Sequence, residues 1–170
     1  GIKRLAKFFY RHIVKNPIQS MLLLGIGVCL CWIYGRQIIL VYGYRASDIP
    51  VHMSWINEMS RGKIFAKGVY PFGFHCVIYY LHAVFRFDTY VILCQFFFAQ
   101  VIFMHLVLLA MLKQLCKTKY IPYIGTFVFL LGNFWSGQTY SRFYATLPQE
   151  FGMIFVIPSI YFLIRFFQIP

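Results

Sequence analysis

Polar positions are so sparse in this chain that they divide it into apolar runs. Residues 18–42 form the first run, opened by Pro17 and interrupted in its outer third by Arg36 and Gln37. Residues 89–112 form the second, with Gln95, Gln100 and His105 as its polar interruptions. Runs over 120–135 and 151–168 follow. A helix needs about 20 mostly apolar residues to cross the roughly 30 Å hydrocarbon core of a bilayer. The pattern therefore predicts an all-α, polytopic membrane bundle of about four transmembrane helices. Two stretches have a different rhythm. Residues 1–17 interleave Lys3, Arg4, Lys7, Arg11 and Lys15 with Ile2, Leu5, Phe8, Phe9 and Ile13, the pattern of a basic amphipathic segment lying on a membrane surface. The stretch Pro71–Phe87 contains Gly73, His75, His82 and Arg86 and has about 15 residues between its breakers, which suits an interfacial helix rather than a span.

Charge decides between the two topologies. If Pro71–Phe87 stays on the surface, the amino-terminal cations share the cytoplasmic side with Lys113, Lys117, Lys119 and Arg165. If it spans, those last four move outside. The basic turn at 113–119 is short and adjoins two spans, the setting in which positive charge stays cytoplasmic most strongly. The expected topology is four spans with the amino terminus cytoplasmic, an outer loop over 43–88 carrying juxtamembrane helices, and a second outer loop over 136–150. Asp48, Glu58, Asp88 and Glu150, the only four carboxylates among 170 residues, then all fall on the outer side.

Composition agrees. Hydrophobic residues make up 61% of the chain and charged residues 12%, against roughly half and a quarter in a soluble domain. So much apolar surface could not be hidden inside a soluble fold of this size. The net charge of +12 is spread between and beside the apolar runs rather than gathered on one soluble module. Anionic membrane lipid, and no nucleic acid, is the partner it implies. The expected location is the plasma (inner) membrane, crossed several times. Cys29, Cys31, Cys76, Cys94 and Cys116 form no C-x-x-C pair and read as small buried hydrophobes. Gly1 in place of Met, and an apolar stretch that stops at Gln168-Ile169-Pro170, read as a fragment of a longer chain.

Candidate chemistry lies in the outer loops. Asp48, His52, Trp55 and Met59 are spaced by four, three and four, so a helix opened by Pro50 would stack them on one face. Asp48 reads either as the N-cap of that helix or as part of a cavity in which Asp48, His52 and His75 approach one another. Two histidines and one acid at this spacing are not a metal signature. In the second loop, Arg142 reads as a snorkelling cation or a phosphate partner. Glu150 reads as an acid favoured by a helix start or as a site residue.

This plan resembles the GT-C superfamily of multi-span glycosyltransferases, which use polyprenyl-phosphate-linked sugars. The residues that carry the likeness are Asp48-Ile49-Pro50-Val51-His52, the stretch Gly62, Gly68, Tyr70, Pro71, Gly73 and His75, and Tyr140-Ser141-Arg142 with Glu150. The likeness is to the amino-terminal part of such enzymes, in bacterial members. It implies transfer of a sugar from a lipid-linked donor to a cell-envelope acceptor, a hexosyl- or pentosyltransferase activity. It makes Asp48 the catalytic base or a metal ligand. Arg142, Arg45, Arg61 and Lys63 become candidates for the donor phosphate, Glu150 a second acid that binds metal or orients Arg142, and His52 and His75 assisting groups. It allows a divalent metal, Mg or Mn, although the second loop lacks the paired acids of oligosaccharyltransferases. A transporter or lipid flippase is the rival reading, since Gln95, Gln100, His105 and Asn133 place polar groups inside the spans. A non-catalytic membrane protein is the third.

Overall fold

The computed structural model describes residue 10 and residues 14–40, 43–63, 72–137 and 142–168. Most of the basic amphipathic segment lies outside the described residues, as do Gly68, Tyr70, Pro71, Tyr140 and Ser141. Helix is the only regular secondary structure among the described residues, which include no strand. The main helices are α1 (Pro17–Leu40), α2 (Ile49–Ser60), α3 (Gly73–Phe85), α4 (Thr89–Leu115), α5 (Ile121–Trp135) and α6 (Pro148–Gln168).

Three of these helices, α1, α4 and α6, are long and apolar enough to cross a membrane. The two shorter apolar helices are α3, with 13 residues, and α5, with 15. At about 1.5 Å per residue α3 reaches roughly 20 Å and α5 roughly 22 Å, both short of a hydrocarbon core, so the expected span over 120–135 is not a helix of membrane length and three rather than four helices are. Proline opens α1, α2 and α5 within their first two positions, where its missing N–H costs nothing. Asp88 caps α4, its carboxylate accepting from the Tyr90 backbone N–H at 2.7 Å. α4 runs three residues beyond the expected 112 and absorbs Lys113, whose ammonium sits 5.0 Å from the centre of the Tyr123 ring on α5.

Chain order and packing bring the end of α1, the start of α4, the end of α5 and the start of α6 to one end of the bundle. A core of Ile26, Ile33, Tyr34, Phe97, Leu130 and Tyr144 joins α1, α4, α5 and the segment before α6. A second core joins α2 and α3 to the first half of α4 through Ile49, Ile56, Phe74, Ile78 and Leu93, with Ala145 and Leu147. In lipid, helices associate through close packing rather than apolar transfer, which favours small residues at contacts. Gly125 illustrates this: a Cβ there would come within 3.1 Å of Leu112 on α4. The cysteines differ from their expectation in part. Cys94 is buried, but Cys31 and Cys76 are exposed on the outer surfaces of α1 and α3, where a thiol can face lipid as any small apolar group does.

Candidate functional site

The segment 143–147 enters the bundle instead of arching over it. Phe143, Tyr144, Ala145, Thr146 and Leu147 are all buried. Non-helical backbone at membrane depth is tolerable when protein surrounds it and its polar groups find partners. Here they do. The Thr146 hydroxyl oxygen accepts from the Phe97 backbone N–H at 2.9 Å, and the Gln100 amide donates to the Leu147 carbonyl at 3.0 Å. The Tyr144 hydroxyl donates to the Ile33 carbonyl at 2.9 Å. Ile33 lies in a π-helical turn, Cys31–Gly35, that interrupts α1. Such turns displace carbonyls from the regular ladder and often mark functional positions. Phe97 is eight residues into α4, about 12 Å from its start, so α6 begins well below that end of the bundle.

This re-entrant segment carries one of the expected pairs. Arg142 Nε donates to Glu150 Oε1 at 2.6 Å. The two ends of this ion pair differ: the Arg142 side chain is 55% exposed and that of Glu150 10%. The second carboxylate oxygen of Glu150, Oε2, is buried and has no hydrogen-bond partner among the described residues. Glu150 belongs to the first turn of α6 rather than to the preceding loop, where the helix dipole favours its charge. One oxygen of this carboxylate is thus bonded to Arg142, and the other has no partner among the described residues.

An apolar cavity of about 660 Å³ opens on the neighbouring face of the same helix start. Gly73, Phe74 and Val77 on α3 and Pro148, Gly152 and Phe155 on α6 form its walls. Gly73 and Gly152 leave room in it, since a Cβ on either would meet nothing within 4 Å.

Around this centre the expected residues separate into three groups. His52 and His75 do come together: His52 Nδ1 lies 3.0 Å from His75 Nε2, one ring nitrogen donating and the other accepting. Both rings are buried, with Trp55, Phe72 and Phe74 packed against them. Asp48 does not join them. It occupies the N-cap position of α2, its side chain makes no capping bond, and it is exposed, accepting from the Ser47 hydroxyl at 3.2 Å. Arg61 and Lys63 both pair with Glu58, at 3.0 and 3.2 Å. The bonded Lys63 ammonium holds the Glu58 carboxyl below its ordinary range, with Arg61 adding to the effect. Arg45 lies over the Phe97 and Tyr144 rings, 4.8 and 5.5 Å from their centres, and donates to the Gln37 carbonyl at 2.5 Å. Burial pushes its guanidinium pKa down. Arg45 thus braces the re-entrant segment from above, and Arg142 is the cation beside the unsatisfied acid.

No group of three or more His, Cys, Asp and Glu side chains among the described residues could hold a metal ion. Glu150 is engaged by Arg142, and His52 and His75 bond each other. Among the described residues Asp48 and Glu150 thus belong to no such group, and no step below uses a metal. Of the intramembrane polar residues, Gln100 anchors the re-entrant segment, and His105 bonds within its own helix to the Val101 carbonyl at 2.8 Å.

The His52 environment makes an expectation about pH. Burial lowers its pKa from the ordinary 6.5, and the Asp48 charge opposes that only in part. The unfolded chain then takes up the proton more readily than the folded one. The packing of α2 on α3 has full stability above about pH 6.5 and loses it as pH falls through 6.5 toward the lower folded value. Thermal melts of the protein in detergent should show Tm falling over that window, and His52→Gln should flatten the profile. A wild-type Tm that does not change from pH 7.5 to 5 would contradict this account.

No protein-family model, curated protein or solved structure matches the chain.

Proposed function

We propose that this chain contributes its Arg142–Glu150 end to a membrane glycosyltransferase, which moves a sugar from a polyprenyl-phosphate donor to a cell-envelope acceptor. One observation carries the reading: a buried carboxylate, half satisfied by an accessible arginine, beside an apolar cavity at the start of a membrane-length helix. Each part answers a need of the reaction. The donor tail is a long hydrocarbon, and 660 Å³ holds about twenty methylene-sized groups at roughly 30 Å³ each. The leaving phosphate is anionic, and Arg142, together with the N–H groups of the α6 first turn, supplies positive potential for it. The acceptor must lose a proton as the glycosidic bond breaks, and Glu150 Oε2 has a lone pair to take it.

The donor glycosidic carbon bonds to the acceptor oxygen as its bond to the phosphate oxygen breaks. The acceptor proton passes to Glu150, and the electron pair leaves with the lipid phosphate. Asp48, which the resemblance favours as base, is exposed and tied to Ser47, so Glu150 is the better candidate on geometry. The outer face of the plasma membrane, with the amino terminus cytoplasmic, is the location this reading adopts from the charge distribution.

The test is binding of undecaprenyl phosphate to the protein in lipid nanodiscs. Arg142→Ala should weaken it about tenfold, the worth of one charge-assisted hydrogen bond. Gly152→Phe, which fills the cavity, should weaken it as well. Affinity unchanged by Arg142→Ala would remove the phosphate role and with it this reading.

A further inference from the structure

At the other end of the bundle a second cavity, of about 300 Å³, lies between α1, α4 and α5. Its walls are hydrocarbon apart from the Cys31 thiol, His105 and Thr126. Leu23 and Leu106 line it and are each about half exposed, at 45% and 49%, so it opens sideways to lipid. His105 and Thr126 are nearly fully buried. Their hydrogen-bond accounts run in the same direction. His105 Nδ1 lies 2.8 Å from the Val101 carbonyl. A carbonyl can only accept, so Nδ1 carries the hydrogen. In the neutral ring Nε2 then carries a bare lone pair, and it has no partner among the described residues. The Thr126 hydroxyl donates its single hydrogen to the Pro122 carbonyl at 2.8 Å, leaving only lone pairs.

Both groups therefore spend their donors on backbone and retain only acceptors, the His105 one lying just beneath the cavity wall. His105 lies 16 residues into α4, about 24 Å along its axis, where an unmet acceptor is costly. Its complement is a molecule with an apolar body and a hydroxyl donor. We propose that this cavity binds a neutral, hydroxyl-bearing membrane amphiphile, its hydroxyl donating to His105 Nε2 and its chain passing out between Leu23 and Leu106. This site is separate from the Arg142–Glu150 centre and stands whether or not the transferase reading does. It requires no charge on the ligand, which distinguishes it chemically from the phosphate site.

The experiment uses photo-crosslinking in nanodiscs with two probes, a diazirine-bearing dodecanol and its methyl ether. They differ in the donor hydrogen, which a methyl group replaces in the ether. The alcohol should label peptides of α1 and α4 at least fivefold more than the ether. His105→Leu should abolish that preference. Gly27→Leu gives an independent arm, because Gly27 lines the cavity and a Cβ there meets nothing within 4 Å. It should fill the space without strain and reduce alcohol labelling at least fivefold, even if His105→Leu does not fold. Equal labelling by alcohol and ether in the wild type overturns the proposal. So does a preference that survives His105→Leu, or labelling that survives Gly27→Leu.

Discussion

If the chain serves the proposed transferase, replacing Glu150 with Gln should lower sugar transfer from a polyprenyl-phosphate donor by about a hundredfold or more, the span that a positioned general base contributes. The amide keeps the shape of the side chain and can still accept from Arg142, but it cannot take the acceptor proton. Folding should be almost unaffected. The Arg142 end of the pair is 55% exposed, so losing the charge costs about 1 kcal/mol. The assay is release of polyprenyl phosphate by the full-length protein in nanodiscs, over a panel of lipid-phosphate hexoses and pentoses. Asp48→Asn is the companion variant. The two carboxylates differ in burial and in their partners, and the base should be the one with an unsatisfied buried oxygen. Loss of transfer with Asp48→Asn and retention with Glu150→Gln would reverse the assignment.

Tyr144→Ala is expected to destabilise the protein by about 3 kcal/mol or more, in the range of large aromatic truncations in packed cores. The ring lies 5.2 Å from Tyr34 and 6.0 Å from Phe97, centre to centre, and under the Arg45 guanidinium. Removing it leaves a void and exposes a cation inside the bundle. Tyr144→Phe separates the two contributions. It keeps the ring and drops the bond to the Ile33 carbonyl, at about 1 kcal/mol. Thermal unfolding in detergent measures both. If Tyr144→Ala costs no more than Tyr144→Phe, the segment 143–147 is not packed as described. On the proposed reading Tyr144→Ala should also lower transfer, because Glu150 follows that segment by three residues.

The helical membrane class was legible in the chain because it depends on composition and run length, which are local quantities. The long apolar runs at 18–42, 89–112 and 151–168 correspond to helices of membrane length, whereas the run at 120–135 and the stretch Pro71–Phe87 hold the shorter helices α5 and α3. The approach of His52 to His75 was among the arrangements that spacing allowed. The pairing of Arg142 with Glu150 was also open to sequence reasoning, through the role of Glu150 in orienting the arginine.

The re-entrant segment was not legible. Its five residues, Phe143-Tyr144-Ala145-Thr146-Leu147, are largely apolar inside a stretch read as an aqueous loop, and that was the available signal. Five residues are too few for a periodicity argument, and their partners lie 47 to 111 positions away. Their burial depends on a π-turn in α1 and an amide on α4, neither visible from the segment itself. The sequence by itself determined the solvent: a bilayer, because so many apolar side chains leave no alternative. Tertiary structure alone decided which acid is half satisfied and which is solvated. Glu150 and Asp48 are both acids at a proline-opened helix start, and folding sets one behind the buried segment 143–147 and leaves the other exposed.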